Sequence, residues 1–203
     1  MTGMVWVSRA MVHASNQRPF RNDVAERDHA RLIEIKQANE RGEVMAPEDF
    51  PTVIFGAPHA VEKDYGVPDL FAAYGFWIVS QAVVDVLRQF DLGQAQIRPV
   101  PVLRDDRSTP IGGDWSCINF GNAKRAVLPE QSEKIRLGPQ NRYNLPATIA
   151  DNQLAVSAEA LAPPDIWVDP QLWAAFFVSE ALGKALRKVS NSFFLTKCRV
   201  VDG

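Results

Sequence analysis

The sequence predicts an α+β fold: a single domain in which two strand–helix–strand units flank an antiparallel β-rich middle. Three observations carry that expectation. First, an apolar strand run, a serine and an amphipathic helical stripe occur twice. Val79, Ser80, Ala82, Leu87 and Arg88 are matched by Val178, Ser179, Ala181, Leu186 and Arg187, an offset of 99 residues. Second, the stretch between the copies consists of short apolar runs separated by glycine, asparagine and proline turn signals. Third, 203 residues with 46% hydrophobic and 23% charged content suffice for one buried core, and no low-complexity linker divides them. A subdivision near residue 50 is compatible with the prolines clustered there.

The elements follow in order. Val5-Trp6-Val7 reads as a strand. Asn22 to Arg41 lacks Gly and Pro and is rich in Ala, Glu, Arg and Lys, so it reads as a helix with Asn22 or Asp23 as N-cap and Gly42 as its stop. Its apolar face is thin (Val24, Leu32, Ile33, Ile35), which suits a solvated surface helix. Thr52–Phe55 is a short strand among Pro47, Pro51, Pro58 and Pro68.

Phe76–Val79 reads as a buried strand and Ser80 as the cap of a helix whose Val83, Val86, Leu87 and Phe90 share one face. Gln96–Leu103 follows as a strand that Pro99 and Pro101 confine to an edge or break. The second unit repeats the pattern: Ala175–Val178, Ser179, a helix with Leu182, Ala185, Leu186 and Val189 on one face, and a closing strand Phe193–Val201. The recurrence reads either as a duplicated element or as two instances of a common unit. Between the units, Trp115–Phe120 and Ala126–Leu128, with weaker runs at Glu133–Leu137 and 147–149, suggest an antiparallel meander, and Ile166-Trp167-Val168 a last strand.

The chemistry of the residues excludes more than it assigns. The net charge of −2 argues against a protein built to grip a phosphate backbone. Apolar runs fall short of the roughly 20 residues a spanning helix needs, and Arg9 interrupts the start too early for a signal peptide. Cys117 and Cys198 read as buried thiols in a reducing cytoplasm. His13, His29 and His59 stand at no metal-ligand spacing, and His29 with Glu26 reads as a surface ion pair. Ser80 and Ser179 are helix caps rather than nucleophiles, and Gly112-Gly113 is a hairpin turn rather than a phosphate loop. No catalytic residue, metal or cofactor is expected.

Two features remain. Arg104-Asp105-Asp106-Arg107-Ser108-Thr109 is the densest charge cluster in the middle of the chain, read as a solvated loop that pairs within itself. Of the five tryptophans, Trp115 and Trp167 lie nearest to turns and are the candidates for binding anchors, the others belonging to the core. Arg104, Asp105, Asp106, Asp114, Trp115 and Trp167 thus make up the candidate interface.

Val67-Pro68-Asp69-Leu70, Gly75-Phe76-Trp77-Ile78-Val79-Ser80 and the helix and strand after them resemble the first half of immunity protein family eleven of bacterial polymorphic toxin systems. Trp115-Ser116-Cys117-Ile118-Asn119 and Phe177-Val178-Ser179 are similar to its second half, so the resemblance covers roughly residues 65–203. The resemblance implies a cytoplasmic, non-enzymatic protein that binds a cognate toxin domain and blocks its active site, with no catalytic motif to carry over. Many such toxin domains are basic nucleases, for which an acidic face speeds association. The rival reading is an enzyme that acts on a small molecule or reverses a toxin-made modification, with the Arg104–Thr109 loop lining its pocket.

Overall fold

A computed structural model describes residues 3–146 and 148–201. In chain order the elements are β1 (Val5–Ser8), β2 (Phe20–Asn22), α1 (Asp23–Arg27), α2 (His29–Glu40), β3 (Ile54–Gly56), β4 (Leu70–Ala73), β5 (Phe76–Ser80), α3 (Gln81–Leu87), β6 (Gln96–Pro99), β7 (Val102–Leu103) and β8 (Trp115–Asn119). There follow β9 (Arg136–Leu137), β10 (Tyr143–Asn144), β11 (Ala155–Ser157), β12 (Ile166–Trp167), β13 (Phe176–Ser179), α4 (Glu180–Val189) and β14 (Leu195–Val201). The fold is mixed α+β.

Two sheets dominate, with strand orders β4-β5-β8-β6 and β12-β13-β1-β14-β11. The likeness of the two units extends from sequence to topology. In each sheet the strand before the helix and the strand after it are separated by one strand antiparallel to both, β8 in the first and β1 in the second. Each unit opens with a Pro-Asp pair. The Ser80 N–H donates to the Asp69 carbonyl and the Ser179 N–H to the Asp165 carbonyl, both at 2.9 Å. The central strand of the second sheet, however, comes from the opposite end of the sequence.

Alternate residues along these strands enter different cores, as the two-residue pleat requires. Val79, Leu70 and Ile118 of the first sheet meet Trp6, Phe176 and Val178 of the second in a shared core that also takes Val83 and Leu87 of α3 and Leu182 and Leu186 of α4. The far face of the first sheet (Phe71, Phe76, Ile78, Cys117) packs on Val24, Leu32, Ile35 and Met45, and the far face of the second (Val5, Val7, Trp167, Phe177) on the loops between Ala126 and Ala160. Both faces being covered, the strands read as continuous apolar runs rather than alternating ones.

Several elements depart from expectation for local reasons. The Asn22–Arg41 helix breaks at Asp28, whose extended backbone (φ −154°) and carboxylate cap a second helix at the Arg31 N–H, 3.0 Å away. Asn22 caps the first, accepting from the Ala25 N–H at 2.8 Å. The expected Gln96–Leu103 strand splits at Val100-Pro101: β6 stays at the edge of the first sheet while β7 joins β2 and β3. Ser80 occupies a cap position but its hydroxyl donates to Asp69 at 2.8 Å, whereas Ser179 does cap, accepting from Leu182. Ala126–Leu128 forms one bridge to Val156 rather than a strand. Of the 147–149 run, Ala147 lies outside the described residues and Thr148-Ile149 is not a strand.

Candidate partner-binding face

The loop after β7 is closed by its own backbone: Arg104 N–H donates to the Thr109 carbonyl at 2.8 Å, and Leu103 bridges Pro110. Asp106 holds the turn, accepting from the Ser108 and Thr109 N–H groups, both at 2.8 Å, and from the Thr109 hydroxyl. These donors stabilise the ionised carboxylate and depress its pKa to about 2, the Thr109 hydroxyl contributing most.

The two arginines pair outside the loop. Arg104 makes a two-pronged bond to Glu62 at 2.7 and 2.9 Å and stacks over Tyr65, whose hydroxyl donates to Asp105 at 2.6 Å. That bond raises the Tyr65 pKa. Arg107 bonds Glu26 and lies 4.0 Å over the buried Phe55 ring. Glu26 therefore serves the loop, and His29, its expected partner, sits beside Tyr74 instead.

Asp106 also sets a pH dependence. Its folded pKa lies below the unfolded value, so its contribution is complete above about pH 4 and is lost as the pH falls towards 2. The Ser108 and Thr109 amide resonances should titrate with a midpoint near 2. A midpoint near 4 would mean that the carboxylate is not held.

Gly112 and Gly113 (φ +97°) turn the chain into β8, where the Trp115 indole N–H donates to the Gly112 carbonyl at 3.3 Å and its ring meets Phe71 edge-on. Asp114 accepts the Gln81 N–H through its backbone carbonyl at 2.9 Å. Two open grooves flank Pro110-Ile111. One, of about 400 Å³, is lined by Glu62, Lys63, Tyr65 and Arg104. The other, of about 530 Å³, is lined by Arg88, Val100 to Leu103, Asp114 and Trp115. No histidine lines either.

A model of the Immunity protein family (Imm11) matches residues 5–200. The chain belongs to this family. No curated protein matches it. The match begins 60 residues ahead of the 65–203 stretch and takes in β1, at the centre of the second sheet, and α2, which packs behind the first.

In this immunity protein, Arg104 lines one groove and Asp114 and Trp115 the other, while Asp105 is held by Tyr65 at the first groove's wall and Asp106 is engaged in the turn of its own loop. Trp167 does not join them. It is 1% exposed, stacked on Phe177 with centroids 5.5 Å apart, and Lys124 lies over its ring. The turn at Pro164-Asp165 suggested exposure, but the Ile166–Val168 run is covered on both faces. Partial burial among these groups lowers the Lys124 pKa to about 8, against the pull of Asp165 and Asp91.

The exposed tryptophan is Trp173, at 45%, assigned from sequence to the core. Both thiols are buried and pushed up by desolvation. Among the described residues no cluster of metal-ligating side chains occurs.

A second exposed feature is the two-residue hairpin turn between β4 and β5. Tyr74 (φ +47°) and Gly75 (φ +106°) adopt the left-handed pair of angles that usually falls to Asn-Gly. Tyr74 is 51% exposed, so its side chain gains little burial to offset a conformation that costs an ordinary residue about 1–2 kcal/mol. The turn is held from below by Asn22, whose Nδ2 donates to the carbonyls of Ala73 and Tyr74 at 3.0 and 3.2 Å.

Proposed function

We propose that this immunity protein binds a cognate toxin domain through the face around residues 104–115 and blocks that toxin's active site, in the cytoplasm of the cell that makes it. The observation that carries the reading is the pair of neighbouring open grooves, one lined by Asp114 and Trp115 and the other by Tyr65, whose hydroxyl holds Asp105. Within residues 104–115 the carboxylates of Asp105, Asp106 and Asp114 stand against Arg104 and Arg107, both already paired with Glu62 and Glu26, while Lys63 and Arg88 also line the grooves. Such a face steers a basic partner and discriminates against acidic ones. Trp115, half-buried at the groove wall, supplies an aromatic anchor of the kind that dominates interface energetics. No helix among the described residues is long and apolar enough to cross a membrane, and both thiols are free.

The test is co-expression with any toxin domain found encoded in a neighbouring gene, followed by association kinetics. Asp105→Lys with Asp114→Lys should slow association on the order of 10- to 100-fold at low salt, less at high salt, with the melting temperature nearly unchanged. Complex formation at the unaltered rate in that variant rejects this face. Cell death despite soluble protein, with no complex on gel filtration, rejects the inhibitory reading itself.

A further inference from the structure

The β4–β5 turn projects between two recesses that share Gln17, Ala72 and Gly75. One is a narrow cleft of about 100 Å³, walled by Met11, Phe76, Trp77 and Trp173, with Lys36 also on its lining. Its one carboxylate, Glu40, is held by Arg142 at 2.9 Å. The other recess is an open groove of about 260 Å³ beside Tyr74, lined by Arg18, Arg21 and His59 and by no carboxylate.

No carboxylate lines this groove to neutralise its cations. Arg31, Arg41, Arg104, Arg107 and Arg142 each bond a carboxylate, but among the described residues neither Arg18 nor Arg21 forms an ion pair. Arg18 reaches only the Gln17 carbonyl, at 3.4 Å, and its Nε–H is buried with no acceptor. The exposed Arg21 guanidinium and the outer amines of Arg18 offer an arriving carboxylate charge-assisted hydrogen bonds. An aromatic-walled cleft of single-side-chain size adjoins these guanidiniums.

We infer that this paired recess takes an acidic, extended segment of a partner protein, one apolar side chain entering the cleft between Trp77 and Trp173 and flanking carboxylates meeting Arg18 and Arg21. A nucleic-acid strand fits less well: two guanidiniums make no continuous track for a phosphate backbone, and the chain carries a net charge of −2. The recess is opposite in charge to the 104–115 face and shares no lining residue with its grooves, so it does not depend on the function proposed for that face.

The experiment titrates the ¹⁵N-labelled full chain with the capped peptide Glu-Asp-Leu-Asp-Glu. Comparison ligands are the same peptide with Ser for Leu, the basic peptide Lys-Arg-Leu-Arg-Lys, and an oligothymidylate. Saturable shifts are expected at the amides of Gln17, Arg21 and Gly75 and at the Trp173 indole. Binding should weaken at least tenfold for the serine peptide and be absent for the basic one.

Arg18→Glu with Arg21→Glu, and separately Trp173→Ala, should each weaken binding at least tenfold while the spectrum stays dispersed. Asp105→Lys with Asp114→Lys should leave it unchanged, which separates failure here from failure of the toxin-binding face. The inference is overturned by the absence of localised shifts at millimolar peptide, by equal binding of the basic peptide, or by oligothymidylate occupying the recess more tightly than the acidic peptide.

Discussion

Trp167→Ala should destabilise the protein by about 3–5 kcal/mol, the usual cost of emptying a large aromatic site in a packed core. Trp167 is among the largest fully buried side chains, stacks on Phe177 and receives Lys124 on its face. For a chain of this size the loss corresponds to roughly 10 °C in melting temperature. Trp167→Phe should cost much less, roughly 1–2 kcal/mol. The ring stack survives, and the indole N–H, which is buried without an acceptor, disappears. Urea unfolding of the three proteins measures both differences. An alanine variant within about 1 kcal/mol of the parent would contradict core placement and return Trp167 to the interface candidates.

Asn119→Ala should cost roughly 2–5 kcal/mol, by a different mechanism. Asn119 is fully buried at the end of β8 and ties that strand to the chain after α2. Its Oδ1 accepts from the Met45 N–H at 3.2 Å, and its Nδ2 donates to the Glu43 carbonyl and to the Asn39 Oδ1, both at 2.9 Å. Asn39 Oδ1 in turn accepts from the Phe120 N–H at 2.9 Å, which fixes it as an acceptor. Alanine leaves the Met45 N–H and the Glu43 carbonyl without partners.

Asn119→Asp should be worse than alanine at neutral pH. It would place a buried negative charge against two acceptors, at Asn39 and Glu43, in place of a donor. Acidification should partly restore it, since the protonated carboxyl regains a donor. Denaturant midpoints at pH 7 and pH 5 check the order. An aspartate variant as stable as the parent at pH 7 would mean that the network is not formed.

The parts of the fold that were legible in the sequence are those decided within a few residues. The Ser179 cap, the helical stripes (except at the second's last position, Val189, which is exposed), the stop at Gly42 and the disruption at Pro99 and Pro101 each depend on neighbours along the chain. What was not legible depends on partners far away. Arg104 and Arg107 do not pair within their loop because Glu62 and Glu26, 42 and 81 residues distant, reach them first. Trp167 and Trp173 have similar surroundings in sequence. They differ because Trp167 lies on a strand covered on both faces, while Trp173 precedes Ala174, whose left-handed backbone (φ +48°) follows the turn that exposes it. The proposed face rests on Asp105, Asp106 and Asp114, which lie close together in sequence. The recess at Tyr74 was not legible there, because Arg18, His59, Tyr74 and Trp173 come together only through the hairpin.

Placing β1 at the centre of the second sheet has a kinetic consequence. Ser8 donates its hydroxyl hydrogen to the carbonyl of Phe193, 185 residues further along the chain. A ribosome adding 5–20 residues per second needs about 10–40 s to make that length. For nearly all of that interval the Val5–Ser8 segment lacks both of its strand partners, and the β13–α4–β14 unit, once made, has a slot at its centre until β1 enters it. Closing such a long loop makes assembly of this sheet slow relative to helix pairing. During that wait the unfilled slot is an open strand edge to which another chain can add.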